Sequence, residues 1–424
     1  MASGLVTGSP ALLRQHNSAL ILRAIRVGGS LSRPELARAT GLSQPTVNEI
    51  AGLLVKSGYV RESALKPGDR PARRGPRPPL LSFNASVGYV LGIDIAAGRI
   101  VILASDLAGR IIAEDRTAIT RREMLRPDPL LSLTRTRITA TLRSAGIARS
   151  KLMAVGIGTP GIIDPKSGAM SLAPALPEWE GMKPAERLAA SFPCPILVNS
   201  DVHLAVLAER GFGAAVGIDD AIYLHLGVGL GLGILIGGKL YRGADGAAGE
   251  IGYLPVGTSR QPPEAGFGRF EWTSGSNAFA RMGRHVINEA GKASLLGELV
   301  GGNPDLIGPE IMFEAARRGD AAAQGILDRL IDQLAEGIGA VVCVLNPATV
   351  ILGAEIAQGG PQLIEPLSRR IAQLVPRPPR RFVASSLGEE AVALGAVQTA
   401  LQAVNDRLFS HSALGTPRSR QAAG

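Results

Sequence analysis

Gln44 and Asn48 stand four residues apart, and each carries the paired donor and acceptor that can grip an adenine edge bidentately. Thr46 and Arg33 suit phosphate oxygens instead, and Ser43 is placed to cap a helix N-terminus. That is equipment for reading duplex DNA.

A helix from about residue 44 must hold these groups. Val47, Ile50 and Leu54 fall at i, i+3 and i+7 and would face inward, leaving Gln44 and Asn48 on the opposite, polar face. Upstream, Leu20, Ile21, Ala24, Ile25 and Val27 give another apolar helical face that stops at Gly28-Gly29. Between them, Ser32-Arg33-Pro34-Glu35 reads as a capping box opening a short helix, and Gly41 turns the chain. A short helix, a Gly turn and a second helix with outward polar residues is the helix-turn-helix arrangement, whose second helix enters the major groove. Residues 58–62 and 79–83 read as two strands around Arg73-Arg74-Gly75-Pro76-Arg77. The bracketing strands favour a wing whose Arg73, Arg74 and Arg77 lie along or in the minor groove; a solvated interdomain linker is the alternative.

Charge agrees with a nucleic-acid partner. The first 83 residues carry twelve Lys and Arg against Glu35, Glu49, Glu62 and Asp69, so they hold +8 of the chain's formal +9. A basic module on a near-neutral body is the footprint of phosphate-backbone binding. Cys194 and Cys343 are far apart in apolar surroundings and are expected as buried packing residues, without a disulfide framework. No signal-peptide pattern and no membrane-length apolar run is read, which predicts a cytoplasmic protein with no membrane partner. At 424 residues the expected units are a DNA-binding domain over 1–83, lobes over 84–215 and 216–402, and a disordered tail over 403–424.

From residue 89 strands and helices alternate. Residues 90–95, 99–105 and 111–113 predict a three-strand meander, followed by a helix over 129–145 and strands over 152–157 and 196–198. About 130 residues on, 221–226, a Gly227-Val228-Gly229 turn and 232–236 repeat the opening of that pattern. The repeat predicts duplicated lobes with a ligand cleft between them.

Paired lobes suit an actin-like ATPase architecture, and four motifs carry a family resemblance. They are Val155-Gly156-Ile157-Gly158-Thr159-Pro160-Gly161, the stretch from Leu240 to Gly252, Leu345-Asn346-Pro347 leading to Val350-Ile351-Leu352-Gly353, and residues 387–396. In that order behind a helix-turn-helix, over about 20–401, the chain resembles the ROK family of sugar kinases and sugar-responsive winged-helix repressors. The resemblance implies an α/β chain: an N-terminal winged helix-turn-helix followed by a two-lobed actin-like (ribonuclease H-like) body.

Departures from the family's kinases decide what kind of member is expected. Their first phosphate turn, Asp-Ile-Gly-Gly-Thr, is here Asp94-Ile95-Ala96-Ala97-Gly98, and their second, Gly-Thr-Gly, is Gly227-Val228-Gly229. Each lost charge-assisted hydrogen bond is worth roughly 1.5–3 kcal/mol, and phosphoryl transfer depends on such positioning. The two altered turns imply negligible use of ATP. On the sugar side the resemblance carries over Asp201, the kinases' base, as a vestige, with helix capping as its bland alternative. It implies ligand-binding roles for Gly161, Ser200, Asp201, Glu250, Tyr253 and Glu271, with Tyr253 standing for the His of the family's Glu-Ile-Gly-His. Residues 263–271, matching the family's zinc-binding Cys run, contain no Cys or His, so neither metal nor cofactor is expected.

The reading is a homodimeric or homotetrameric repressor that binds an operator in double-stranded DNA and senses a sugar or sugar derivative through a silent kinase body. An active sugar kinase with a DNA-binding front end, and a repressor without a ligand, are the alternatives.

Overall fold

A computed structural model describes residues 10–63, 78–96, 98–173, 176–227, 229–256, 266–289 and 294–409. The N-terminal unit comprises α1 (Pro10–Gly28), β1 (Leu31–Ser32), α2 (Arg33–Thr40), α3 (Gln44–Lys56), β2 (Val60–Ser63) and β3 (Leu80–Phe83). Leu36 of α2 and Val47, Ile50 and Leu54 of α3 close over Ile21, Leu22 and Ile25 of α1. The strands form an antiparallel sheet in the order β1-β3-β2. β1 has too few residues to show periodicity and forms because Leu31 and Ser32 pair with Leu81 and Leu80. The predicted α2 capping box is present: the Glu35 carboxylate accepts from the Ser32 amide at 2.8 Å and from its hydroxyl at 2.7 Å.

The body opens with β4 (Tyr89–Ala96), β5 (Arg99–Asp106), β6 (Ile111–Ala118), α4 (Arg121–Leu125), α5 (Pro127–Ser144) and β7 (Leu152–Thr159). It continues with β8 (Ile162–Ile163), β9 (Met170–Ser171), α6 (Pro184–Ala189), β10 (Ile196–Ser200) and α7 (Asp201–Phe212). The second half begins β11 (Ala221–Leu226), β12 (Leu230–Ile236), β13 (Lys239–Leu240), α8 (Arg269–Ser274), α9 (Ser276–Glu289), α10 (Leu295–Leu299) and α11 (Pro309–Arg317). It ends α12 (Ala321–Leu345), β14 (Thr349–Ala354), α13 (Pro361–Leu374), β15 (Arg381–Ala384) and α14 (Ala391–Phe409).

The two large sheets share one topology. The first has the order β10-β7-β4-β5-β6 and the second β13-β12-β11-β14-β15. Each is an antiparallel meander extended by two parallel strands on the other side of its first strand. This is the duplication that the repeated strand and turn pattern predicts.

The last helix of each half crosses to the other. α7 follows β10 of the first sheet, yet Leu204, Ala205 and Val206 pack with Tyr223 of β11 and Leu235 of β12. α14 follows β15 of the second sheet, yet Ala393 and Val397 pack with Val90 of β4 and Ala154 of β7. The linear division at 215/216 therefore needs correction: α14 belongs by its packing to the first sheet. The 403–424 tail needs one as well. α14 runs through Phe409, because Val404 and Leu408 bury themselves with Leu107 against Tyr59 and Phe83.

The two crossing helices touch at Gly395, where a Cβ would lie 1.8 Å from the Leu204 carbonyl oxygen. Gly395→Ala is expected to lower stability by roughly 1–3 kcal/mol or more, since neither backbone can give way freely. A thermal melt unchanged from the parent would contradict this. Cysteine placement also differs from expectation. Cys194 is half-buried, with its thiol pushed up to about 11 by burial, whereas Cys343 is exposed. The core face of α12 runs through Val342 to Leu345, and Cys343 and the 82% exposed Val344 between them turn outward.

Candidate functional site

The expected base-reading residues occupy one exposed surface. Ser43 caps α3, its hydroxyl accepting from the Thr46 amide at 3.3 Å and meeting the Thr46 hydroxyl at 2.8 Å. Gln44 donates to Asn48 across one turn at 3.3 Å, and both side chains are exposed. That bond links the two amides across one turn of the exposed face. Arg33, expected at phosphate oxygens, pairs in this structure with Glu62 of β2 at 2.7 Å. Arg73, Arg74 and Arg77 lie outside the described residues.

The second site sits where the parallel strands of the first sheet end. Ser200 and Thr159 are register partners at the carboxyl ends of β10 and β7, and Gly161 follows in the left-handed region at φ +95°. Ligands collect at such strand ends because loops and helix N-termini open there. Asp201 starts α7, and its carboxylate accepts from the Val202 amide at 2.7 Å and the Ser200 hydroxyl at 3.2 Å. As the first residue of α7, behind Ser200 at the N-cap, it satisfies one free amide of the helix start through Oδ1. From the second half, Glu250 and Tyr253 flank a short 3-10 turn, Ile251–Tyr253, and Glu271 comes from α8. Glu271 presses on Gly252 so closely that a Cβ there would lie 2.8 Å from Oε2.

These groups share one field. Burial pushes Glu250 up to about 7, with Asp201 adding to the shift, and burial followed by Glu250 does the same for Glu271. Tyr253 is raised by burial and then by the two glutamates, while its hydroxyl donates to the Gly266 carbonyl at 3.0 Å. Near-neutral pH thus leaves a mixture of protonated and ionised carboxyls that can donate to and accept from vicinal hydroxyls. His203 is buried, and its Nε2 donates to the Ala248 carbonyl at 3.4 Å, a packing contact that ties α7 to the loop before Glu250.

One group beside the cleft was not singled out as a site by sequence. Asp94, between Ile93 and Ile95 inside β4, is 1% exposed, and neither of its carboxylate oxygens has a hydrogen-bond partner. Burial pushes it up to about 7, opposed by Arg99, whose guanidinium is 3.9 Å away. An acid inside an apolar strand was the available signal. Because burial raises its folded pKa from 3.8 to about 7, the penalty on the fold is absent below the unfolded value, grows as pH rises from there, and is complete above about 7. Asp94→Asn is expected to stabilise at pH 8 by roughly 1–3 kcal/mol, and the gain should shrink toward acid. A gain over the parent no larger at pH 8 than at about pH 4 in thermal melts would contradict the account. Arg99 and Arg116 also reach Glu389, at 3.5 and 3.4 Å, just ahead of α14.

A model of the ROK family matches residues 90–403, most of the chain. The chain belongs to the ROK family. A model of the MarR family matches residues 14–70, over the winged-helix unit. The xylose repressor of Caldicellulosiruptor bescii is 29% identical over 92% of this chain and 96% of its own. A glucokinase of Thermotoga maritima is 32% identical, covering 57% of this chain and 77% of its own. A solved ROK transcriptional regulator, described as a homolog of the E. coli MLC protein, superposes with a TM-score of 0.74. Its identity is 22%, over 94% of this chain and 98% of that one, so it speaks for the fold. The ROK body is thus actin-like and its front end a winged helix-turn-helix. No helix among the described residues is long and apolar enough to cross a membrane.

Proposed function

We infer that this ROK protein is a cytoplasmic DNA-binding repressor that senses a sugar or sugar derivative in its carboxylate cleft and does not phosphorylate it. The observation that carries the reading is the continuous packing from cleft to DNA unit. Asp201 opens α7, α7 is locked to α14 at Gly395, and α14 buries Leu401, Val404 and Leu408 in the cluster flanked by Tyr59 and Phe83 of the winged helix. Arg26 of α1 donates to Asn405 at 2.5 Å and covers the Phe83 ring at 5.5 Å. A ligand that prefers one arrangement of α7 therefore biases the position of α3. A single winged helix makes too small an interface for high specificity, so a homodimer or homotetramer on paired half-sites is part of the reading; Val344 is an apolar residue that α12 leaves outside for a second copy.

Support for the silent body comes from Ala96, Ala97 and Val228, which stand at the two phosphate turns where the kinases carry Gly, Gly and Thr. The glucokinase relative supplies the rival reading, a working sugar kinase. One experiment separates them. Sugars are titrated into the protein bound to a fluorescent duplex selected from random sequence, with ATP present and ADP followed. The expected result is a sugar-dependent change in anisotropy with no ADP above background. Sugar-dependent turnover on the order of 1 s⁻¹ or faster would make it a kinase.

A further inference from the structure

Arg242 follows β13 and opens the loop that leads to Glu250. Its Nε and Nη2 both donate to one acceptor, the side-chain oxygen of Asn199, at 3.3 and 3.1 Å. Asn199 is the penultimate residue of β10, two residues before Asp201, so the guanidinium of the second half is tied to the first half close to the start of α7. It is half-buried, yet it forms no ion pair among the described residues, and burial is the one influence that lowers its pKa. Asn199 accepts both of the Arg242 side-chain bonds, the Ala248 amide donates to the Arg242 carbonyl, and the titratable group interacting with the guanidinium is His203, whose burial favours the neutral ring. A cation removed from water against a neutral amide is left uncompensated, and a planar fork with two donors sharing one oxygen has capacity to spare.

We propose that Arg242 is the anion subsite of the cleft and that the effector is an acidic sugar, its carboxylate or phosphate paired with this guanidinium while its hydroxyls meet Asp201, Glu250 and Glu271. The proposal rests on the cleft being the sensor. Arg242 then sets ligand class, and the three acidic residues set recognition of the polyol. Asn199 serves the free state by holding the guanidinium in place without neutralising it. An acidic ligand bridges β10 and the β13 loop through one charge, drawing the two halves together at the start of α7.

The test is calorimetric titration of the full chain with matched neutral and acidic sugars: pentoses, hexoses and amino sugars against their aldonates, uronates and 6-phosphates. The acidic member of at least one pair should bind about tenfold to a hundredfold tighter than its neutral partner, the range of a charge-assisted pair, and lose that margin as salt rises. Asn199→Asp supplies an internal counter-ion, and Arg242→Gln removes the charge; either should collapse the acid-to-neutral ratio toward one, while Arg242→Lys keeps part of it. Tighter binding of the uronate or aldonate identifies a carboxylate, and of the 6-phosphate a phosphate. Neutral sugars binding as well as their acidic partners, or a preference for acid that survives both Asn199→Asp and Arg242→Gln, overturns the subsite. Binding by no member of the panel overturns the cleft reading itself.

Discussion

A chain beginning at Asn84 is expected to bind no duplex DNA at about 150 mM salt, although the intact chain binds it. The truncation removes α3 and the +8 charge of the first 83 residues together. The intact protein should lose affinity steeply with salt, because each phosphate contact releases counter-ions. Individual residues divide by role. Gln44→Ala or Asn48→Ala should cost about 1–3 kcal/mol on the preferred site and little elsewhere, since each is an exposed amide suited to a base edge. Arg74→Ala should weaken all sequences alike and lower the salt slope by about 1. Arg33→Ala should do less, because Glu62 already offsets that guanidinium. Truncation also uncovers Leu401 and Val404 beneath Phe83 and Tyr59. Retained effector binding by the truncated chain is therefore the control that it has folded. Operator binding by that chain, measured by anisotropy, would remove the winged helix from the mechanism.

Asp201→Ala and Glu250→Ala are expected to abolish the response of DNA binding to effector while leaving DNA binding without effector unchanged. Each carboxyl offers hydrogen bonds to hydroxyls worth roughly 1.5–3 kcal/mol, or about ten- to a hundredfold in affinity. Their effects should not add in the double variant, because both act on one ligand. Asp201 also satisfies one free amide at the start of α7 through its bond from Val202, so Asp201→Asn is the sharper probe. It keeps an acceptor for the helix and loses the charge. A loss in Asp201→Ala that Asp201→Asn fully restores would assign Asp201 to capping alone. Normal effector affinity in both Asp201→Ala and Glu250→Ala, measured by calorimetry, would place the sensor elsewhere.

Local patterning accounted for much of this chain. Ser32 to Glu35, the Gly41 turn and the 47/50/54 face specify the helix-turn-helix, because capping and amphipathic periodicity act within a few residues. The repeated strand and turn pattern likewise predicts two sheets of like topology, since each meander forms between sequence neighbours. Glu250, Tyr253 and Glu271, grouped by resemblance, come within electrostatic reach of one another in the structure. Sequence separation hid the rest. Nothing near residue 391 shows that α14 leaves its own sheet for β4 and β7, or that Val404 and Leu408 will be buried by Leu107, Tyr59 and Phe83. The isolation of Asp94, the pairing of Arg33 with Glu62 and the neutral company of Arg242 are also decided across chain separations that no local pattern encodes. Whether a charge finds a counter-ion depends on which charged side chains packing brings within about 4 Å, and that is decided by tertiary packing within the winged helix and between the two halves of the body.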